Sequence, residues 1–263
     1  MNMPDETEIA VLLELPKPHV ALIRLNRPDK LNAMNLAMRQ QLAEVFVSLS
    51  ADNDIRVIVV TGNDKAFVAG ADLAEFEPRD AIEQFLAETE RYWEPLRTCS
   101  KPVIAAVQGF ALGGGMELAL HADIIVAGRG ALFAQSEPNI GLMPGAGGSQ
   151  RLVRALGKYR AMRFLLTAER VDAEEGYRLG FVSEVVDDDK TLDRALEMAG
   201  RIASLPPLAT RQIKEVVLAG ADAPLDTAMR LERKAFQILF SSNDKAEGMA
   251  AFREKRNPRF EGR

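Results

Sequence analysis

The alternation of apolar and polar residues predicts strands and helices in turn through the first part of the chain. Short runs rich in β-branched or small apolar residues are typical of buried strands, and they occur at residues 20–26, 55–61, 102–107, 123–127 and 131–134. Apolar residues recur at helical spacing over residues 35–49, where Asn35 is placed to cap the helix, and over residues 80–97. Strands that alternate with helices indicate a layered α/β fold.

The pattern changes after residue 158, where strand signals almost vanish. The run at residues 181–186 is the exception. Successive helices are predicted at residues 191–204, 208–219, 225–240 and 244–254. We therefore place a boundary near Asp187 and expect two regions: residues 1–187, which carry the functional site, and residues 188–263, which form a helical C-terminal region.

The stretch at residues 106–120 is the one around which the chain is organised. A buried-strand pattern ends in the three glycines at 113–115, and an apolar helix is expected to open at Met116. Glycine allows the backbone to bend where side chains would clash. The first N–H groups of a helix lack intrahelical acceptors, and the helix dipole favours negative charge there. The sequence therefore predicts a binding site for an oxyanion, with Glu117 in the first turn beside it.

Two further glycine loops and a second carboxylate extend this prediction. Residues 69–72 form a bend of the same kind, residues 141–148 precede a helix predicted at 149–156, and Glu137 follows a strand. Two loops that each direct one N–H group at the same oxygen form an oxyanion hole. Two carboxylates beside such a hole divide acid and base roles when their environments separate their pKa values.

Simpler interpretations of the same residues stay open at this point. Glycine bends are commonly just turns. Glu117 is also suited to be a partner for the helix dipole, and Glu137 is also suited to pair with an arginine such as Arg151.

Composition narrows the class of protein. The 263 residues are 47% hydrophobic and 27% charged, which is ordinary for a globular chain. The net charge of −5 argues against a nucleic-acid partner, and no stretch is long and apolar enough to span a membrane. The single cysteine, Cys99, excludes an intrachain disulfide. Because the first residues also lack the apolar run of a signal peptide, we expect a cytoplasmic protein.

Several standard signatures are absent from the sequence. No residues have zinc-ligand spacing, no phosphate loop occurs, and the glycines at 113–115 depart from a dinucleotide fingerprint at Leu118. A Ser-His-Asp catalytic triad has few candidate histidines, because the chain contains only His19 and His121. We interpret His121 as a packed structural histidine.

Four stretches, in order and together, resemble the crotonase (enoyl-CoA hydratase) superfamily. They are residues 25–34, 67–72, 105–118 and 141–151. The resemblance extends from about Val11 to the end of the chain. It implies a crotonase-like spiral of ββα turns with a helical C-terminal region, assembled as a homotrimer or a dimer of trimers.

The resemblance also implies roles for individual residues. The backbone N–H groups of Ala71 and Gly114 form the oxyanion hole for a CoA thioester carbonyl, and Glu117 and Glu137 match the two catalytic glutamates of the family. The positions implied to contact CoA or to line the same cleft are Lys30, Leu31, Ala33, Ala69, Gly70, Asp72 and Leu73. No metal and no further cofactor is implied, because CoA is part of the substrate.

The presence of both glutamates favours a hydratase within this superfamily. Such an enzyme adds water across the C2–C3 double bond of a trans-2-enoyl-CoA to give a 3-hydroxyacyl-CoA. An enoyl-CoA isomerase, which needs chiefly Glu137, and a non-catalytic scaffold that binds CoA or RNA remain alternatives.

The chain ending and the helix around Trp93 also resemble the bacterial hydratases of phenylacetate catabolism, which act on a dehydroadipyl-CoA. For such a dicarboxylic acyl chain, Arg79 and Arg91 are candidate partners.

Overall fold

A computed structural model describes residues 9–75 and 80–263 of the chain. The strands in these ranges are β1 (Val11–Lys17), β2 (Val20–Leu25), β3 (Val57–Thr61), β4 (Ala66–Val68), β5 (Val103–Val107), β6 (Phe110–Leu112), β7 (Ile124–Gly128), β8 (Leu132–Ala134), β9 (Val171–Asp172) and β10 (Glu184–Val186). The helices are α1 (Leu36–Ala51), α2 (Ala81–Leu86), α3 (Glu94–Arg97), α4 (Gly114–His121), α5 (Gly148–Leu156), α6 (Lys158–Thr167), α7 (Ala173–Leu179), α8 (Thr191–Ala203), α9 (Pro207–Ala221), α10 (Leu225–Leu239) and α11 (Asn243–Glu254).

Two sheets share these strands. The larger sheet has the order β1-β2-β3-β5-β7-β10, and the smaller has the order β4-β6-β8-β9. The β1-β2 and β8-β9 pairs are antiparallel, and the other pairs are parallel. The pairs β3-β4, β5-β6 and β7-β8 each place one strand in the larger sheet and the next in the smaller. The chain thus winds as a spiral, which confirms the expected α/β architecture.

The central strands of the larger sheet are buried on both faces, so alternate side chains enter two different clusters. Ile58 and Val60 face a cluster that extends to α1 and the smaller sheet, whereas Val57 and Val59 face a second cluster. Three alanines of α8, at 195, 199 and 203, complete that second cluster. Small residues at this spacing allow α8 to lie close against the sheet.

Helix α1 begins as the sequence predicts. The Asn35 side chain accepts a hydrogen bond from the Met38 N–H at 2.9 Å, which satisfies one of the free donors at the helix start. The buried face of the helix carries Met38, Leu42, Phe46 and Leu49.

The prediction of one long helix over residues 80–97 is wrong, because the structure has three short helical segments there. After α2 the chain passes through Glu88, which has φ +44°, into a 3₁₀ turn at Thr89–Tyr92, and then into α3. A left-handed residue cannot continue an α-helix, so the amphipathic pattern is carried by three short pieces.

Smaller differences concern the ends of elements. Helix α4 begins at Gly114 rather than at Met116, and in the run at residues 181–186 only Glu184–Val186 is a strand. The three-residue strands β4 and β6 were expected only as glycine bends.

The helical C-terminal region begins with α8 on the larger sheet and continues with α9 and α10, which pack against each other. The boundary at Asp187 stays a prediction. Across the described residues, no helix has both the length and the hydropathy that crossing a membrane requires.

Candidate active site

The site lies where three neighbouring parallel strands of the smaller sheet end. Ala71 follows β4, Gly114 follows β6, and Glu137 follows β8, each within three residues of the strand end. The carboxyl ends of parallel strands meet at one edge of a sheet, and ligands of open α/β sheets bind in crevices there. The order β4-β6-β8 therefore brings together three residues that are far apart in sequence.

The N–H group of Ala71 points away from the backbone pairing that holds it. Residues Met34 and Ala71 form a parallel bridge, in which the Met34 N–H donates to the Gly70 carbonyl and the Asp72 N–H donates to the Met34 carbonyl. The Gly70 carbonyl and the Ala71 N–H belong to one trans peptide group and point in opposite directions, so this N–H faces away from Met34. Gly70 has φ +129°, a conformation that suits glycine at this bend.

The N–H group of Gly114 is the second donor. Gly114 is the first residue of α4, so its N–H has no acceptor within the helix. A β-carbon built on Gly114 would lie 4.0 Å from the Ala71 nitrogen, which places the two peptide groups side by side. The structure brings the two predicted hole residues together.

Glu117 is buried one turn into α4, and its carboxylate is held by a neighbouring loop. Its Oε1 accepts hydrogen bonds from the N–H groups of Ala146 at 2.7 Å and Gly148 at 2.8 Å. Burial raises the pKa of Glu117, and the backbone hydrogen bonds and the charge of Arg151 act in the opposite direction. The ionised form is therefore the one that the loop is arranged to hold.

Glu137 is in a different state. Its Oε2 atom is buried and has no hydrogen-bond partner among the described residues. Burial, with a smaller contribution from the charge of Glu117, raises the pKa of Glu137 to about 7. The two carboxyl groups thus lie in different environments, and their roles as base and acid stay a prediction. The alternative pairing of Glu137 with Arg151 does not occur, since Arg151 donates to His121 instead.

Both glutamates and both hole residues line one cavity of about 450 Å³. Another part of its lining is mainly apolar and consists of Leu73, Trp93, Ile140, Leu142 and Met143. A larger cavity of about 850 Å³ lies on the other side of the loop at residues 145–148 and is lined by neither glutamate. The smaller cavity, which both carboxyl groups and both backbone donors line, is therefore the candidate substrate site.

The residues expected to contact CoA divide into two groups. Ala69, Gly70 and Leu73 line the cavity. The other four are not part of its lining: Lys30, Leu31, Ala33 and Asp72. Arg27 links two of these, because its Nη1 donates to the Ala33 carbonyl and, at 3.2 Å, to the Asp72 carboxylate. The CoA contacts stay predictions.

Of the two arginines expected near the acyl chain, Arg79 lies outside the described residues. Arg91 is exposed and donates to the Tyr92 hydroxyl at 2.6 Å. Within the described residues no group of three or more His, Cys, Asp or Glu side chains is placed to hold a metal ion.

The comparisons with known proteins identify the family. A model of the enoyl-CoA hydratase/isomerase family matches residues 17–263. The chain belongs to this family. A probable enoyl-CoA hydratase of Rhizobium meliloti is 44% identical over 252 residues, which cover 96% of this chain and 98% of the relative. The 2,3-dehydroadipyl-CoA hydratase of Escherichia coli is 41% identical over 244 residues, covering 93% and 96%.

Solved structures of the enoyl-CoA hydratase/isomerase family have the same fold. The subunit I structure from Geobacillus kaustophilus matches with a TM-score of 0.91 at 44% identity and covers 97% of this chain and 99% of that one. An enoyl-CoA hydratase from Mycobacterium tuberculosis matches with a TM-score of 0.88 at 36% identity, covering 97% and 100%. The crotonase-type fold inferred from the sequence is confirmed.

The sequence did not reveal the residues that hold the Glu117 carboxylate in place. The donors to Glu117 are peptide groups of Ala146 and Gly148, and peptide groups carry no side-chain signal. A β-carbon on Gly148 would lie 3.1 Å from Cγ of Glu117 and 2.5 Å from Nε2 of Gln135, so only glycine allows this approach. The glycine-rich loop was the one visible indication.

Proposed function

We propose that this chain hydrates trans-2-enoyl-CoA thioesters to 3-hydroxyacyl-CoA products. One observation carries the proposal: a carboxylate held by backbone donors, a second carboxyl group with a buried, unpartnered oxygen, and two free backbone donors line a single cavity. Relatives named as probable enoyl-CoA hydratases, at 42–44% identity over nearly the whole chain, support the same activity. The isomerase alternative is not favoured.

The oxyanion hole supplies the first part of the mechanism. The thioester carbonyl oxygen accepts hydrogen bonds from the N–H groups of Ala71 and Gly114, which draws electrons from the conjugated double bond and makes C3 electrophilic. The developing negative charge on the oxygen is stabilised by the same donors and by the start of α4.

The two glutamates move the protons. Ionised Glu117 accepts a proton from water as the water oxygen bonds to C3. That addition makes the C2–C3 bond single and moves its π electrons into C1–C2, which gives the enolate. Neutral Glu137 then delivers a proton to C2, and the enolate returns to the thioester carbonyl. Glu137 ends ionised and Glu117 ends protonated, and proton exchange with solvent restores both. General acid–base help of this kind contributes about 10²–10⁴ in rate.

No metal ion or further cofactor takes part in this proposed scheme, because carbonyl polarisation and both proton transfers are assigned to the chain itself. CoA enters with the substrate. Ala69, Gly70 and Leu73 are proposed to contact the thioester arm of CoA. Four more residues are proposed to lie along the rest of the CoA moiety: Lys30, Leu31, Ala33 and Asp72.

The acyl pocket favours an aliphatic chain, because its wall is formed largely by Leu73, Trp93 and Met143. Arg39 also lines the cavity, but its guanidinium is already paired with Glu75 at 2.5 Å. A dicarboxylic substrate, as in the name of the Escherichia coli relative, and the phenylacetate pathway stay predictions.

We also propose a homotrimer or a dimer of trimers. Helices α9 and α10 expose large apolar side chains, namely Ile213, Val217, Leu218, Leu225, Met229, Phe236 and Ile238, and Phe240 directly after α10 is exposed too. Exposed apolar surface of this extent is typical of an interface. Sedimentation equilibrium should give three or six times the 28.9 kDa protomer mass, and a mass of one protomer would refute the assembly. A cytoplasmic location stays a prediction.

The activity test follows the absorbance of the conjugated enoyl thioester with crotonyl-CoA. Wild type should consume it and form 3-hydroxybutyryl-CoA, whereas Glu117→Gln and Glu137→Gln should each lose most turnover. Glu44→Gln, at an exposed position on α1, is the matched control. A product with a shifted double bond would indicate an isomerase, and full turnover by Glu137→Gln would contradict the assigned roles.

A further inference from the structure

Two residues of α4 contact the backbone of Ala146 in the neighbouring loop, one at its N–H group and the other at its carbonyl group. Glu117 and His121 are four positions apart and therefore lie on one face of the helix. The Glu117 carboxylate accepts from the Ala146 N–H at 2.7 Å, and the His121 ring contacts the Ala146 carbonyl through Nε2 at 3.0 Å. The loop that positions the Glu117 carboxylate is thus itself fixed to α4 by His121.

The tautomer of His121 follows from its other partner. Arg151 Nη2 lies 3.0 Å from Nδ1 of the ring. A guanidinium has only donors, so Nδ1 must be the unprotonated acceptor. The proton is then on Nε2, which donates to the Ala146 carbonyl. Arg151 therefore orients the histidine in the one neutral form that can bind the loop.

The charges around the ring keep it neutral. Burial, the charge of Arg151 on α5 and the charge of Arg97 on α3 lower the pKa of His121 to about 4, against the hydrogen bond to Ala146, which raises it. A doubly protonated ring would lose its acceptor and face Arg151 with like charge. The contact with Arg151 is consequently stable across neutral pH.

The ring also contacts the wall of the acyl cavity. The rings of Trp93 and His121 stack with centroids 5.1 Å apart and an interplanar angle of 18°. Trp93 lines the cavity, whereas His121 lies behind it against the loop. The imidazole is therefore packed between the acyl-chain wall and the loop that carries the donors to Glu117.

We propose that His121 is a positioning residue for the general base: it fixes the Ala146 carbonyl so that the N–H groups of Ala146 and Gly148 point at the Glu117 carboxylate. This inference rests on the proposed hydratase function, in which Glu117 is the base. His121 itself touches no reacting atom. Its effect is expected in turnover and in the titration of Glu117, with little effect on substrate binding.

The test compares two replacements at position 121. His121→Phe keeps the ring stack with Trp93 but removes both hydrogen bonds, whereas His121→Gln retains one donor for Ala146 and one acceptor for Arg151. His19→Phe is the control for loss of a histidine–backbone contact away from the site, because His19 is exposed at the β1-β2 turn and its Nδ1 lies 2.7 Å from the Asp54 carbonyl oxygen. Should the Phe variant fail to fold, His121→Leu removes the same two bonds with a smaller side chain.

We expect His121→Phe to lower kcat about 10- to 100-fold with KM within about twofold, since small displacements of a catalytic group cost up to about 10²-fold. The acid limb of kcat/KM against pH should move to higher pH, because weakened backbone donors stabilise ionised Glu117 less. His121→Gln should recover much of the turnover and restore the limb. A kcat of His121→Phe within about twofold of wild type, or an unshifted limb, overturns the proposal.

A measurement without substrate separates this proposal from the proposed function. The Glu117 carboxyl is titrated by ¹³C NMR in wild type and His121→Phe, with Glu117→Gln for assignment. The pKa of Glu117 should be higher in the Phe variant even if wild type consumes no enoyl-CoA. The same pKa in both proteins would overturn the positioning role, whatever the enzyme's activity.

Discussion

The backbone nitrogen of Ala71 lies 4.0 Å from the position that a β-carbon on Gly114 would occupy. This is ordinary van der Waals distance, and the φ of Gly114 is not in the left-handed region. A methyl group therefore fits the fold at this position. It also fills space between the two donors of the oxyanion hole, where a substrate oxygen must enter.

Gly114→Ala is accordingly expected to fold but to lose activity. The methyl group keeps the carbonyl oxygen from the two N–H groups, and loss of one such donor typically costs about 10²–10³ in kcat. Thermal stability should stay level or rise, since alanine favours a helix more than glycine does. Steady-state kinetics with crotonyl-CoA and a melting curve measure the two effects.

The neighbouring glycine gives the contrasting control. A β-carbon on Gly115 would lie 2.1 Å from the Val68 carbonyl oxygen, so the backbone would have to move. Gly115→Ala should lower the Tm strongly or prevent folding. Wild-type turnover in Gly114→Ala would show that the hole lies elsewhere.

The pH dependence of hydration should be bell-shaped. Glu117 must be ionised and Glu137 protonated, and the pKa of Glu137 is raised to about 7. As pH rises above about 7, Glu137 loses its proton and kcat/KM falls; as pH falls through the pKa of Glu117, the base is lost. Initial rates over pH 5–9 test this. A profile that stays flat through pH 9 would contradict the role of Glu137 as the acid.

Glu137 should also make the protein less stable at higher pH. The folded state binds its proton more tightly than the unfolded chain, so between about pH 4.5 and 7 the native state holds more protons and the free energy of unfolding falls as pH rises. Glu137→Gln removes this effect. We expect the free energy of unfolding of the variant to be about 1–2 kcal/mol higher than that of wild type at pH 8, after allowing for solvent screening. At pH 4.5 the difference should be small.

Urea unfolding at both pH values measures the difference. Glu44→Gln, at an exposed position on α1, should show the same stability relative to wild type at each pH. An equal effect of Glu137→Gln at both pH values would mean that the Glu137 carboxyl titrates normally in the native state.

Lys30 is expected to act on substrate binding alone. It is exposed in the turn before Leu31, whose carbonyl accepts from the Ala69 N–H at the cavity edge. Lys30→Glu places a negative charge near the predicted path of the CoA phosphates and should raise KM about three- to tenfold at low salt, with kcat unchanged. The effect should shrink in high salt because exposed charges are screened.

Lys65→Glu is the control, since Lys65 is exposed just before β4, at the opposite end of that strand from the site. Equal KM changes in the two variants would indicate a general charge effect rather than a CoA contact.

The sequence predicted the helices and strands that depend on neighbouring residues, such as a capping residue or a regular apolar face. Helix α1 was foreseen because Asn35 caps it and its apolar face is regular. The break at Glu88 was not, because no glycine or proline marks it. Strands β4 and β6 were not seen as strands because three residues carry no periodicity; they exist through pairing with each other and with β8.

The same distinction applies to the site. Glu117 and Glu137 were identified because glycine-rich bends and family resemblance mark them. The contact between His121 and Ala146 joins residues separated by two strands, β7 and β8, and a loop, so no local pattern reveals it. The sequence-based interpretation of His121 as packed was correct for burial but incomplete for its hydrogen bonds.

The three strand ends that build the site differ in what they contribute, and this has a consequence for how such a site changes over time. Two of them offer main-chain N–H groups, which nearly every amino acid possesses, whereas the third offers one particular side chain at Glu137. Point mutations can therefore alter the fate of the activated thioester without abolishing its activation. Activation of the thioester by backbone groups is thus separate from the step that decides the product, which depends on a side chain. Position 137 is therefore the place to begin redesigning the reaction.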